Sequence, residues 1–129
     1  MIILDSSVWI AFLNDSDSQH VKAYNLVMNL QGIVGIPEYV LGEVCTVLVN
    51  KKGKKYADGF IDQIPQYEFL QIVYSCEDIF NQILVFFRSH TYRHLSFIDT
   101  ALLYYSQSHE LITFDKQLQM AIHSLAKPA

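Results

Sequence analysis

Apolar positions along the chain follow two rhythms. Short runs rich in β-branched and aliphatic residues have the length and continuity of strands buried on both faces: Ile2-Ile3-Leu4, Ile33-Val34-Gly35-Ile36, the segment holding Phe69, Ile72 and Val73, and Leu111-Ile112-Thr113-Phe114. Between them, apolar residues recur three and four apart, the spacing of helices. Val8, Trp9, Ala11, Phe12 and Leu13 follow a Ser6-Ser7 pair able to cap, and Val21, Tyr24, Leu26, Val27 and Leu30 form an inward stripe behind the candidate N-caps Asp17 and Ser18. Pro37 opens a mostly buried helix that carries Tyr39 to Val49, and a shorter helix runs through Ile64. Glu77 to Arg88 turns Ile79, Phe80, Ile83, Leu84 and Phe87 inward, Ser96 opens a helix to Ser106, and Asp115 starts the last one. Strands alternating with helices predict an α/β fold with a parallel sheet covered on both faces, because each crossover lays a helix across it.

Composition narrows this to one domain over residues 1–129, half of it hydrophobic and able to bury a single core. The mean hydropathy is positive, yet no stretch approaches the ~18 uninterrupted apolar residues of a membrane span. Met1-Ile2-Ile3-Leu4-Asp5 lacks the basic region of a secretory signal, so a soluble, cytoplasmic protein is expected. Two cysteines, Cys45 and Cys76, are too few for a zinc site or a disulfide framework and read as reduced thiols. Nine basic against thirteen acidic side chains give a net charge of −4, which excludes a protein that holds nucleic acid by a broad basic face.

The placement of the acids changes the picture. Ligands of open α/β sheets collect outside the carboxyl ends of the strands. Asp5 ends the first strand and Asp115 lies just past the fourth. Glu43 sits in an apolar helix, and Asp99 lies in the first turn of another. Singly, each has a bland reading: Asp5 and Asp115 as N-caps, Ser96-x-x-Asp99 as a capping box, Glu43 neutralised by a lysine of the 51–55 run. Together, four carboxylates converging on one cleft repel one another and call for a cation. All-oxygen ligation selects a hard divalent ion such as Mg²⁺ or Mn²⁺ over zinc. Such a site suits phosphodiester hydrolysis by metal-activated water.

Leu4-Asp5-Ser6-Ser7-Val8-Trp9-Ile10, Pro37-Glu38-Tyr39-Val40-Leu41-Gly42-Glu43, Leu95-Ser96-Phe97-Ile98-Asp99-Thr100-Ala101 and Thr113-Phe114-Asp115 resemble, in order and spacing, the four acidic motifs of PIN-domain ribonucleases. The chain length and single-domain layout are similar to those of VapC toxins of type II toxin-antitoxin pairs. The resemblance implies a PIN-like three-layer α/β/α fold with a short, mainly parallel sheet of four to five strands. It also implies a metal-dependent endoribonuclease with Asp5, Glu43, Asp99 and Asp115 as catalytic and metal-ligating residues, supported by Ser7 and Thr113. Ser6 stands where the family more often has Thr, and Glu38 is an alternative to Glu43 on the same helix. An RNA substrate, a VapB-like antitoxin lying across the acidic cleft, and a homodimer are further implications. Without the four acids, nine acidic residues would face nine basic ones, so the whole formal excess equals the charge of the expected site.

Lys51, Lys52, Lys54 and Lys55 form the densest basic cluster; a solvated loop is the default reading, with phosphate contact as the second. Arg88 and Arg93 flank His90-Thr91-Tyr92-Arg93-His94, which lacks the Glu of a zincin motif and reads as a basic loop with possible RNA contact. Tyr92, Tyr104 and Tyr105 are candidates for stacking on bases, against core packing as the commoner use. Two other functions remain open: a phosphotransfer domain with Asp5 as nucleophile, weakened because Ser7 stands where a second Asp is usual, and a PIN-fold module that binds RNA or protein without cutting.

Overall fold

The computed structural model describes residues 1–90, 92 and 94–126. Four strands form one sheet: β1 Ile2–Leu4, β2 Val34–Pro37, β3 Leu70–Val73 and β4 Glu110–Ile112. Their order is β3-β2-β1-β4 and every pairing is parallel, with Ile3 opposite both Gly35 and Leu111. Close packing sets the centre of the sheet: a methyl group on Gly35 would lie 2.8 Å from Val73 Cγ2, nearer than van der Waals contact permits.

Helices α1 Ser6–Leu13 and α2 His20–Met28 connect β1 to β2. The next crossover contains α3 Glu38–Lys52, α4 Lys54–Gln63 and a 3-10 turn Ile64–Gln66, and α5 Glu77–Ser89 and α6 Phe97–Tyr105 precede β4. The chain finishes in α7 Lys116–Ala126. Right-handed crossovers put α1 to α4 over one face, where the chain steps from β1 to β2 to β3, and α5 and α6 over the other, where it returns past them to β4. The result is a layered α/β/α domain. Gly53, at φ 96°, turns α3 into α4 through backbone space that residues with a side chain rarely use. Ile3, Leu4, Val8, Ile36, Val40 and Val44 are fully buried and join β1, β2, α1 and α3 in one core.

Several expectations shift. The sheet has four strands, not five, and the last ends at Ile112 because Thr113 and Phe114 leave the ladder to serve side-chain contacts. The second strand is displaced by one residue, Pro37 pairing with Val73, and the third begins at Leu70. Asp17 and Ser18 do not cap α2, whose N-cap is Gln19; Asp17 accepts from Gln19 N instead and makes a local turn. Val21 and Tyr24 face solvent at 70% and 48% exposure, because α2 packs through the small, fully buried Ala23. On α5 the buried pair is Ile83 and Phe86, while Phe80, Leu84 and Phe87 lie on an exposed flank.

Both cysteines are free thiols, and no helix is long and apolar enough to cross a membrane among the described residues.

Candidate functional site

Strand order reverses at β1: the chain builds outward to β2 and β3, then returns to place β4 on the other side. The crevice outside the carboxyl ends of β1 and β4 is therefore where this topology leaves room for a ligand. Asp5 follows β1 immediately, and its backbone N–H still donates to Ile112 O at 3.0 Å, which holds the two strand ends together.

The Asp5 side chain is almost fully buried. Oδ1 accepts from Ser6 N at 2.7 Å and caps α1, while Oδ2 accepts from Ser7 Oγ at 2.9 Å and from Thr113 Oγ1 at 2.7 Å. Both hydroxyls also accept: Phe114 N donates to Ser7 Oγ and Asp115 N to Thr113 Oγ1, each at 3.0 Å. Ser7 and Thr113 thus hold the carboxylate by two oriented donors, as the sequence leads one to expect. Asp115 in turn caps α7, accepting from Leu118 N at 2.9 Å.

Asp99 completes the expected capping box, with Ser96 N donating to its Oδ2 and Asp99 N to Ser96 Oγ, both at 3.1 Å. Three of the four acids therefore cap helices and still converge, since capping aims a helix start at its acid while one carboxylate oxygen suffices for it. Burial pushes the Asp99 carboxyl above its ordinary value, and the charges of Asp5 and Asp115 push it further against the opposing effect of the Ser96 hydrogen bonds. Glu43 is half-buried on α3. Its carboxyl is also raised, first by burial and then by Asp5 and Asp99, while the Ser6 hydroxyl acts in the other direction. The Ser6 hydroxyl lies 3.4 Å from Asp5 Oδ1, between the two acids. Sequence reading treats Ser6 only as a departure from Thr; its adjacency to Asp5 was the available signal.

Four segments thus bring Asp5, Glu43, Asp99 and Asp115 into mutual electrostatic reach. Neither of the two ion pairs among the described residues involves them: these join Lys52 to Asp15 and Lys54 to Asp58. Among the described residues no three His, Cys, Asp or Glu side chains close on a single point as a preformed metal cage would. An oxygen-only set spread in this way fits Mg²⁺ or Mn²⁺, which keep several waters and take few protein ligands.

Other candidates lie apart. Glu38 turns away from the crevice and accepts from Ser75 N at 2.9 Å and from the Ser75 hydroxyl, which holds its carboxyl below the usual range. Lys51, Lys52, Lys54 and Lys55 sit around the far end of α3, about 12 Å or more from Glu43 at the rise of a helix. Lys52 and Lys54 are engaged with their acids. Arg88 is exposed at the end of α5, whose neighbouring Phe87 packs on Phe97 at a centroid distance of 5.3 Å. Arg93 lies outside the described residues. Tyr105 is buried and Tyr104 packs on Phe86 with its hydroxyl on Gln82, so neither presents a face for stacking, and Tyr92 stacks on His90.

The crevice and its four acids are features of a nucleotide-processing α/β domain, and the comparisons identify which one. The PIN domain family model matches residues 2–121, and this chain belongs to the PIN domain family. Among solved structures, the crystal structure of Mycobacterium tuberculosis VapC20, described as a sarcin-ricin loop cleaving toxin, superposes with a TM-score of 0.80. It is 24% identical, over 94% of this chain and 95% of that one. No curated protein matches the chain by sequence.

Proposed function

We propose that the protein is a metal-dependent endoribonuclease, the toxin of a VapBC-type pair, hydrolysing RNA phosphodiester bonds at Asp5, Glu43, Asp99 and Asp115. The observation that carries this is the convergence of four carboxylates, uncompensated by any Lys or Arg among the described residues, in the switch-point crevice of a PIN fold. Two of them are held in surroundings that disfavour their charged forms, a cost that a purely structural role would not require.

Asp5, Glu43, Asp99 and Asp115 would hold the cation, Mg²⁺ or Mn²⁺. When bound, it supplies positive charge against the scissile phosphate and acidifies a water for in-line attack. The chain itself orients. Ser7 and Thr113 fix the Asp5 carboxylate so that its direction does not depend on the ligand, and the α6 and α7 termini fix Asp99 and Asp115. Glu43, with its carboxyl raised toward neutrality, is the acid best placed to exchange a proton near the reacting atoms. The phosphotransfer alternative loses ground, because both Asp5 oxygens are occupied by donors and the residue is buried, which suits a ligand better than a nucleophile.

The reading includes an RNA substrate, a VapB-like antitoxin, a homodimer and a cytoplasmic site of action. For the antitoxin, a cavity of about 500 Å³ between α1, α2 and the 3-10 turn offers apolar walls from Trp9, Phe12, Val27, Met28 and Ile64. It adjoins a second hollow at Leu13 and Phe60 that is edged by Lys52 and Lys55, matching an apolar segment with acidic flanks. Phosphate contact by Lys51, Lys52, Lys54, Lys55, Arg88 and Arg93 belongs to the same reading, at a distance from the cut.

Cleavage of structured RNAs in Mg²⁺ or Mn²⁺ by wild type and Asp5→Asn is the deciding experiment. Abolished cutting by the variant is expected; equal rates would refute the site.

A further inference from the structure

An acidic centre in a chain of net charge −4, with its lysine cluster a helix length away, cannot draw in RNA by charge alone. Affinity close to the cut has to come from contacts that phosphate repulsion does not weaken. Four aromatic rings lie beside the acids. Tyr39 is one turn before Glu43 on the same face of α3, and Phe97 shares the first turn of α6 with Asp99. Phe97 is the hub of the group: Phe87 lies at 5.3 Å, Phe80 at 6.3 Å and Tyr39, edge to face, at 6.4 Å between centroids.

These rings are not core. Phe80 and Phe87 are 38% and 42% exposed, on a flank of α5 turned away from the buried Ile83 and Phe86. Nor are they loosely held. The Tyr39 hydroxyl bonds Ser75 Oγ at 2.7 Å, and Ser75 is tied to Glu38, so the ring is fixed before any ligand arrives. Arg88, exposed and next to Phe87, adds a cation at the outer edge.

We infer that Tyr39, Phe80, Phe87 and Phe97 form a ledge on which unpaired RNA bases next to the scissile phosphate stack. The inference rests on the nuclease reading and assigns positioning residues to it. Stacking tolerates any base, because every base has a π-face, and it demands that the strand be unpaired. The ledge would thus select loops and single strands over duplex. Contiguity with the acids favours a nucleotide over a second copy of the chain as the occupant of this face.

The test uses single-stranded RNA oligonucleotides carrying 2-aminopurine at successive positions, bound to the full-length Asp5→Asn chain. Quenching is expected at positions adjoining the cut. Phe80→Leu and Phe87→Leu should lose it and bind roughly tenfold more weakly, while Phe87→Tyr should restore both. Unchanged quenching and affinity in the leucine variants would overturn the inference. So would a drop in molecular mass of those variants by light scattering, which would assign the face to contact between copies. Because the readout needs no cleavage, it is separable from the nuclease reading, which instead falls if Asp5→Asn still cuts like wild type.

Discussion

The Thr113 hydroxyl donates to Asp5 Oδ2 at 2.7 Å across 108 positions of sequence and accepts from the Asp115 backbone N–H at 3.0 Å. One side chain therefore couples two acids that arrive from different strands. Thr113→Val keeps the shape and removes both bonds, leaving a buried carboxylate short of a donor and a backbone N–H short of an acceptor. A loss of about 1–3 kcal/mol in stability is expected from denaturant melts. RNA cleavage should fall about 10- to 100-fold, the usual effect of losing a residue that orients a metal ligand. Thr113→Ser should recover most of both, because the hydroxyl, not the methyl, makes the contacts.

Glu43 and Asp99 carry a pH dependence whose sign follows from their raised carboxyls. A carboxyl raised on folding makes the native state hold more protons than the unfolded one, so stability is lost as pH rises from the ordinary values of 4.5 and 3.8 through the higher native values. Glu43→Gln should melt higher than wild type at pH 7 in the absence of divalent ions, and the advantage should vanish below pH 4. Added Mg²⁺ or Mn²⁺ should raise the melting temperature of wild type more than that of the variant, since only wild type has the full charge for the ion to offset. Thermal melts across pH with and without the ion measure both; a wild type more stable than Glu43→Gln without metal at pH 7 would contradict the electrostatic account.

Glu38 and Glu43 separate cleanly in the structure although they share a helix. Glu38 accepts two hydrogen bonds from Ser75 and ties the start of α3 to the segment after β3, and its lowered carboxyl contributes stability that is present above the unfolded value and lost as pH falls. Glu38→Gln should leave single-turnover cleavage within about twofold of wild type and lower acid stability. Glu43→Gln should lose more activity than Thr113→Val while folding at least as well at pH 7. A reversal of these two phenotypes in one RNA cleavage assay would transfer the acid role to Glu38.

How far the sequence was legible depends on the range of the interaction involved. The β-branched runs at Ile2–Leu4 and Val34–Ile36 are buried on both faces, so composition alone marks them as strands. Ser96 and Asp99 announce a capping box because both partners lie within one turn. The errors come where a tertiary neighbour decides. On α5, residues 79, 80, 83, 84, 85, 86 and 87 are all apolar, leaving no polar face to fix the orientation, and the choice of Phe87 over Phe86 as inward is one residue, or about 100°, out. Ala23, not the larger Val21 or Tyr24, faces the core because α2 packs closely on α1. The Glu38–Ser75 contact spans 37 positions and has no local signature. The expected acids converge nonetheless, since each belongs to a strand end or helix start whose place is fixed by the parallel topology.

Tyr105 offers a stability test independent of function. Its hydroxyl is buried without a hydrogen-bond partner among the described residues, and burial pushes its pKa up to about 12. Burying a hydroxyl without a partner costs about 1–3 kcal/mol, so Tyr105→Phe should be neutral to stabilising by about 1 kcal/mol. In a domain of this size that corresponds to a rise of a few degrees in Tm. Scanning calorimetry measures it, and a loss of stability would reveal a partner for the hydroxyl.

The lysines at the far end of α3 separate binding from chemistry. Lys51 and Lys55 are exposed, whereas Lys52 and Lys54 are engaged with Asp15 and Asp58. Any phosphate they touch is at least a helix turn or two beyond the acids. Lys51→Ala with Lys55→Ala should therefore leave the single-turnover rate at saturating RNA unchanged. If both lysines contact the backbone of a long substrate, the slope of log affinity against log salt should become shallower by ~0.7 for each phosphate contact removed from a single strand. A short oligonucleotide confined to the crevice should show no such change. The contrast between long and short substrates locates the path of the RNA, because only a strand that crosses the lip of the domain toward Gly53 can report the loss of those two charges. A fall in the saturated rate with the short substrate would place the lysines in the chemistry and require α3 to lie differently against the sheet.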